Sequence, residues 1–253
     1  MKKAIIYTLA FVAIQSLLPF LIQEILGLFK VSVSPTDAKM MIINLTAVSV
    51  AVIILFLYLR WAVVSPSYIR SRPWDVFFWC GLAALGAIIP STTLQEVMPE
   101  LPNIVEQEFD VILRDRWGYF AVGLLAPLCE ELVFRGAILR ALLRWTPRHW
   151  VAITISALLF ALIHANPAQM PHAFLIGLLL GWLYYRTDSI VPGMVYHWVN
   201  NSVAYVLYNL YGGDIRLIDM FGSHRSIAMA CLFSLLILLP SLYQLHLRLR
   251  KAS

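Results

Sequence analysis

The chain has 253 residues, of which 60% are hydrophobic, 13% are charged and 13% are aromatic. A soluble domain of this size carries about 25% charged residues, and a disordered chain combines few aromatic residues with many charges. The composition therefore excludes an ordinary soluble domain and a disordered chain. The long apolar runs indicate a polytopic membrane protein.

The apolar runs predict an all-α fold, a membrane helical bundle of about eight transmembrane helices. Each helix needs about 20 mostly apolar residues to cross the hydrocarbon core. In chain order the predicted spans cover 4–29, 40–61, 74–90, 117–143, 150–165, 171–186, 190–211 and 226–247. The acidic stretch 91–116 is predicted to be an external loop with an amphipathic turn or two.

The net charge of +5 is typical of basic residues that flank membrane spans, so we expect membrane lipids and not nucleic acid as partners. With the N-terminus in the cytoplasm, twelve of the 19 Lys and Arg residues lie inside and six outside. The remaining one, Arg135, lies within a span. This bias predicts a multi-pass protein of the cell membrane with both termini in the cytoplasm.

Several polar side chains interrupt the predicted spans, where each is unfavourable in hydrocarbon and must face a cavity or a partner. They lie on the fourth, fifth and seventh predicted helices. The set is Glu130, Glu131, Arg135, His164, His197, Asn200 and Asn201. We expect these side chains to converge inside the bundle.

Helical spacing indicates which of these groups share a face. Glu131 and Arg135 are four residues apart, which predicts an ion pair. Glu130 is rotated by about 100° from Glu131 and is left free to face elsewhere. His197 and Asn201 also share a face, so the amide can orient the imidazole or stand beside it as a second donor. A carboxylate next to histidines is an arrangement that activates water.

Three motifs on successive predicted helices resemble those of the CPBP family, the CAAX protease and bacteriocin-processing (Abi) proteins, which include the type II CAAX prenyl endopeptidases. The motifs are Glu-Glu-x-x-x-Arg from Glu130, Phe-x-x-x-His from Phe160 and His-x-x-x-Asn from His197. Each motif alone has low specificity, but three in this order on membrane helices are specific. The resemblance covers roughly residues 115–210.

The resemblance also divides the single predicted membrane domain of residues 1–253. It predicts variable N-terminal helices over 1–90, a motif-bearing catalytic core over 115–210, and a last helix with a basic C-terminal tail over 226–253.

The resemblance implies an intramembrane endopeptidase that hydrolyses a peptide bond in membrane-associated peptides or protein tails. It implies that Glu130, helped by His164, activates water, and that His197 and Asn201 stabilise the oxyanion. Supporting roles fall to Glu131, Arg135 and Phe160. Without a eukaryotic targeting signal, the chain is expected in a bacterial inner membrane.

Alternatives remain open at the level of the sequence. Glu130, His164 and His197 could together ligate zinc, although a metal-free reaction without any cofactor is favoured. Cys129 is a candidate thiol, but it points about 100° away from Glu130. A non-catalytic bacteriocin-immunity or scaffold protein of the same fold, or a small transporter with a proton relay, would also place ionisable groups inside the membrane.

The expected depths of these residues differ. At about 1.5 Å per residue, Glu130 and His164 lie about 20 Å from the cytoplasmic side, whereas His197 lies about 10 Å from it. The groups meet only if the turn containing Arg186 and Asp188 is recessed into the membrane. This predicts a water-filled funnel at that turn.

Overall fold

The computed structural model describes residues 1–31, 34–213 and 215–251, and it confirms the all-α fold, with no strand in these ranges. The last two residues of the predicted basic tail, 252 and 253, lie outside the described residues. The first five helices are α1 (Lys2–Leu28), α2 (Ala38–Tyr58), α3 (Pro66–Ser71), α4 (Trp74–Val97) and α5 (Glu106–Arg114).

The next helical stretch is continuous but changes its winding. It consists of a π-helical segment (Tyr119–Leu125), α6 (Ala126–Val133), a second π-helical segment (Phe134–Leu139) and α7 (Arg140–Trp145). The chain ends with α8 (His149–Leu162), α9 (Met170–Thr187), α10 (Val191–Tyr211), α11 (Leu217–Phe221) and α12 (His224–Arg248).

Every predicted span coincides with helical structure, but the predicted number of crossings is a separate matter. Four helices are long and apolar enough to cross a bilayer by themselves, namely α1, α2, α4 and α12. The shorter α8 is also apolar. These helices indicate a membrane protein, while the count of eight spans stays a prediction.

The predicted end of the third span at residue 90 is wrong, because α4 continues through Pro90 to Val97. The hydroxyl groups of Thr92 and Thr93 donate to the carbonyl oxygens of Ile88 and Ile89. These bonds satisfy both hydroxyl groups and backbone oxygens within the helix, so the fall in hydropathy does not end it. The predicted loop is correspondingly shorter, and its amphipathic part is α5, which buries Ile112 and Leu113.

The two π-helical segments are features that the sequence did not indicate. They flank α6, the eight-residue segment that carries Glu130 and Glu131. A π-helical turn inserts extra residues into the helix and rotates everything beyond it, and such turns often occur at functional sites. They therefore set the direction in which α6 presents its carboxylates.

The helices pack around two large apolar cores, and a third, small cluster contains Ile42, Ile112 and Ala121. One surrounds residues 129–142 with side chains from α1, α2 and α8, among them Phe11, Phe56 and Ile153. The other lies between α4, α9, α10 and α12, with Cys80 and Tyr196 inside it. Both cores include side chains of α9, so this helix connects them.

We predict that α4 and α12 depend on Gly86 for their close approach. A Cβ at Gly86 would lie 2.7 Å from the backbone nitrogen of Leu238 and 3.1 Å from the carbonyl oxygen of Ser234. Gly86→Ala should therefore lower the stability of the protein by about 1–3 kcal/mol. The measurement is thermal unfolding in detergent.

The matched control is Gly81→Ala on the same helix, where the nearest atom to the new Cβ is Val199 Cγ2 at 3.9 Å. This change should be neutral or stabilising, because alanine is favoured over glycine in a helix by up to about 1 kcal/mol. Equal melting temperatures for the two variants would contradict the proposed close packing.

Candidate active site

The Glu131 carboxylate joins two other ionisable side chains inside the bundle. Arg135 Nη1 donates to Glu131 Oε1 at 2.8 Å, as the sequence spacing predicted. The same oxygen lies 3.1 Å from His197 Nδ1. Since a carboxylate oxygen only accepts, Nδ1 of His197 carries the proton in this bond. Glu131 is fully buried and Arg135 nearly so, so this is a desolvated network.

Arg135 has two further contacts that fix its position. Its Nη2 atom donates to the carbonyl oxygen of Gly177 on α9 at 3.3 Å. Its guanidinium carbon lies 4.5 Å from the centroid of the Phe160 ring, a cation–π contact that is strengthened by desolvation. The ion pair therefore also anchors α8 and α9.

Glu130 is placed differently from its neighbour. Its side chain is 19% exposed, and its Oε2 atom lies 3.7 Å from Nε2 of His197. This distance is too long for a direct hydrogen bond. Adjacent glutamates thus contact opposite nitrogens of one imidazole, Glu131 at Nδ1 and Glu130 at Nε2.

The predicted mismatch in depth is resolved by the register of α10 against the α6 stretch. A Cβ at Gly136 would lie 3.5 Å from Ile190, just before α10 begins. Six residues back from Gly136 is Glu130, and seven residues on from Ile190 is His197, so the two side chains reach the same level. Gly136 lies nine residues before Trp145, which recesses the turn by about 13 Å relative to the end of α7.

The turn before α10 is also covered by protein. Thr187, Ser189 and Ile190 are all buried. The linker between α2 and α3 crosses nearby, where the Val63 N–H donates to the Gly136 carbonyl oxygen. A recessed, covered turn agrees with the requirement derived from the sequence, whereas the water-filled funnel stays a prediction.

His164 lies just beyond α8, which ends at Leu162, and not within the predicted helix. Its Nδ1 atom is 2.7 Å from the carbonyl oxygen of Phe160, which can only accept, so Nδ1 carries the proton. In the neutral ring Nε2 is then an acceptor. Phe160 contacts both histidines edge to face, with centroid distances of 5.0 Å to His164 and 5.9 Å to His197.

The hydrogen-bond partner of Asn201 is not the His197 imidazole, although the spacing of the two residues suggested it. Its Nδ2 donates to the carbonyl oxygen of Val122 in the first π-helical segment at 3.1 Å. Its Oδ1 accepts from Nδ2 of Asn200 at 3.3 Å. The group that orients His197 is therefore Glu131, while Asn201 keeps its second amide hydrogen for another acceptor.

Two further residues lie near these groups: Asn166, which the sequence suggests as a neighbour of the site, and His172, for which it does not predict a role. His172 on α9 is within electrostatic range of both His164 and His197, and its Nδ1 is buried without a hydrogen-bond partner among the described residues. Asn166 is fully buried, bonding to Asn103 and to the Ile104 N–H, so it ties the loop before α5 to the turn that holds His164. Only His172 was not expected here, because its position beside a predicted loop suggested no role.

The zinc alternative needs three ligands around one point. Within the described ranges, no group of three or more His, Cys, Asp or Glu side chains is arranged to hold a metal ion. Nδ1 of His197 bonds to Glu131, which leaves Nε2 as the nitrogen that faces Glu130. In this arrangement Glu130, His164 and His197 are not grouped as a metal site, and the metal-free reaction stays a prediction.

The central part of the chain matches a known family. Residues 113–203 match the family model described as type II CAAX prenyl endopeptidase Rce1-like. The resemblance to the CPBP family is thereby confirmed for this segment. It contains all of the motif residues, from Glu130 to Asn201.

A more distant relative is UPF0177 protein YxdF of Lactococcus lactis subsp. lactis (strain IL1403). It is 26% identical over 139 residues, which cover 54% of this chain and 65% of that protein. The chain thus covers less than two thirds of this relative. No solved structure gives a significant match.

We predict that Arg135→Met destabilises the protein by about 3–5 kcal/mol, because it leaves a buried carboxylate without its cation. The matched control is Arg144→Met on α7, where the side chain is exposed and the effect should be within about 0.5 kcal/mol. Thermal unfolding in detergent measures both. If Glu131→Gln added to Arg135→Met restored none of the loss, the electrostatic explanation would be wrong.

We also predict that Gly193→Ala displaces the Glu131 carboxylate. A Cβ at Gly193 would lie 2.8 Å from Glu131 Oε2. The added methyl group should lower stability by about 1–3 kcal/mol. Gly136→Ala is the control, since its nearest contact would be an ordinary 3.4 Å. Similar melting temperatures for the two variants would show that the carboxylate has room to move.

Proposed function

We propose that this protein is an intramembrane endopeptidase that hydrolyses a peptide bond in a membrane-associated peptide or protein tail. The match of residues 113–203 to a prenyl endopeptidase family supports proteolysis as the general activity. The observation that carries the proposal is that the two adjacent glutamates have different surroundings. Glu131 accepts hydrogen bonds from Arg135 and His197, whereas Glu130 is partly exposed beside the same imidazole.

In this proposal Glu130 is the general base. Its carboxylate takes a proton from a water molecule, and the resulting hydroxide attacks the carbonyl carbon of the peptide bond. Nε2 of His164 accepts a hydrogen bond from the other hydrogen of the water and so orients the molecule, since Nδ1 donates to the Phe160 carbonyl. A positioned base of this kind contributes about 10²–10⁴-fold to the rate.

The negative charge that develops on the carbonyl oxygen is stabilised by His197 and Asn201. Donation from Nε2 of His197 requires a proton on that nitrogen in addition to the one that Nδ1 shares with Glu131. Asn201 contributes the amide hydrogen that Val122 does not use. One preorganised donor of this kind contributes about 3–4 kcal/mol to transition-state stabilisation.

Collapse of the tetrahedral intermediate completes the reaction. The protonated Glu130 gives its proton to the leaving nitrogen, the C–N bond breaks, and the products are a carboxylic acid and an amine. One water molecule is consumed, and Glu130 returns to its charged form. Each step uses only side chains of this chain, so the proposal is metal-free.

The experiment compares wild-type protein with Glu130→Gln in proteoliposomes that contain membrane-anchored peptides, both prenylated and unprenylated at the C-terminus. Mass spectrometry detects the cleavage products. We expect the variant to lose about 10²–10⁴-fold in rate at an unchanged melting temperature, because the amide keeps the shape but is no base.

Two control variants make the result specific. Glu108→Gln removes an exposed carboxylate on α5 and should leave the rate unchanged. Cys129→Ser should also remain active, since Cys129 is buried and bonds to Ser49 on α2. An inactive Cys129→Ser variant with normal stability would favour a thiol nucleophile. No cleavage by wild-type protein would favour the non-catalytic immunity or scaffold alternative, whereas full activity of Glu130→Gln would overturn the role of Glu130 as the general base.

A further inference from the structure

We propose that a second site on this protein, which we call the basic pocket, binds the phosphate group of an anionic phospholipid. The basic pocket has a volume of about 480 Å³ and lies at the end of the bundle where α1 begins and α7 ends. Its charged lining comes from three separate parts of the chain. These residues are Lys2, Lys3, Arg60, Arg140 and Arg144.

The five cations of the basic pocket are not neutralised by the protein. Within the described ranges, none of them lies within 4.0 Å of an acidic side chain in an ion pair. Asp188, in the turn before α10, interacts with Tyr184, which is also within electrostatic range of Arg140 and Arg144, but Asp188 forms no ion pair with either arginine within 4.0 Å. Like charges gathered around one cavity repel each other, so an anion in the cavity would be stabilised by all of them.

The floor of the basic pocket is aromatic. Trp61 contacts the Tyr7 ring at a centroid distance of 5.0 Å and the Phe56 ring at 5.2 Å. Tyr7 and Phe56 are buried in the first core, so the floor is rigid. Trp145, which is 49% exposed, stands at the rim, and tryptophan is enriched at the level of lipid headgroups.

Arg60 enters the basic pocket in an unusual backbone conformation. Its φ is +54°, in the left-handed region that favours glycine. The Trp61 N–H donates to the Phe56 carbonyl oxygen, and the two rings pack together, which makes this a Schellman termination of α2. Glycine is the usual residue at this position, so an arginine here accepts strain while placing a cation at the cavity.

The surroundings favour a lipid over free phosphate as the source of the anion. Three apolar side chains follow Lys2 and Lys3 in the first turns of α1, and each is at least half exposed. They are Ile5, Ile6 and Leu9. Acyl chains can lie along this apolar face while the phosphate reaches the cations. Basic pockets at helix ends, between spans, are typical sites for anionic headgroups.

The experiment uses the full chain in detergent micelles with equal amounts of dioleoylphosphatidylglycerol and dioleoylphosphatidylcholine. Native mass spectrometry counts the retained lipids, and thermal unfolding measures stabilisation. We expect preferential retention of phosphatidylglycerol, weakened on the order of 10- to 30-fold in the double variant Arg60→Gln, Arg140→Gln. The matched control is Arg250→Gln, Lys251→Gln, which removes two exposed charges outside the basic pocket and should retain the lipid.

Two further samples contain sodium phosphate or glycerol phosphate in place of the lipids, and they distinguish a lipid headgroup from a soluble phosphate as the source of the anion. Stabilisation by either to the same extent as by phosphatidylglycerol would overturn the lipid assignment in favour of a soluble phosphate site. Equal loss in the pocket and control variants, or no preference for phosphatidylglycerol, would overturn the pocket itself.

Arg60→Gly keeps the test valid if the double variant unfolds. Glycine relieves the left-handed strain, so this variant should be at least as stable as wild type without lipid, yet retain less phosphatidylglycerol. Retention equal to wild type would contradict a role for Arg60. Lipid retention is measured without any peptide cleavage, and Arg140 lies ten residues beyond Glu130. The result therefore does not depend on the proposed peptidase activity.

Discussion

The buried carboxylate of Glu131 is the interaction on which the rest of the site depends. An unpaired charge in an apolar bundle is unfavourable by several kcal/mol, so the carboxylate has to be matched by donors in close geometry. Arg135 and His197 are those donors, and Arg135 in turn contacts Phe160 on α8 and the Gly177 carbonyl on α9. A single carboxylate thereby connects α6, α8, α9 and α10, and it sets the position of His197.

The adjacent glutamates illustrate how one sequence motif serves two physical roles. Consecutive helical residues point about 100° apart, so Glu131 can be enclosed while Glu130 remains at a partly accessible edge. The two carboxylates approach opposite nitrogens of His197, so the imidazole ring lies between them. The flanking π-helical segments set the rotation of α6 that makes this possible.

The same helical stretch connects two chemically different regions. Its middle carries acidic groups that the bundle encloses, and its end carries Arg140 and Arg144 beside a cavity at the end of the bundle. Charges deep in an apolar bundle need internal partners, whereas charges at a helix end can be neutralised by headgroups. This difference explains why the buried arginine is paired while the basic residues of the pocket are not.

The sequence by itself determined the helical class, the position of each long helix, and the Glu131–Arg135 pair, because these depend on local composition and on spacing within one helix. It also placed the motif residues within the segment that matches the prenyl endopeptidase family.

The sequence did not predict the extension of α4 to Val97. The polar residues there lower the hydropathy, but their hydroxyl groups bond to the backbone and so remain compatible with a helix. Only the tertiary structure decided that Glu131 and not Asn201 orients His197, that His172 lies within electrostatic range of both histidines, and that the turn before α10 is recessed relative to the end of α7. These features depend on the register between helices, which is set by packing at contacts such as Gly136 with Ile190 and leaves no periodic signal along the chain.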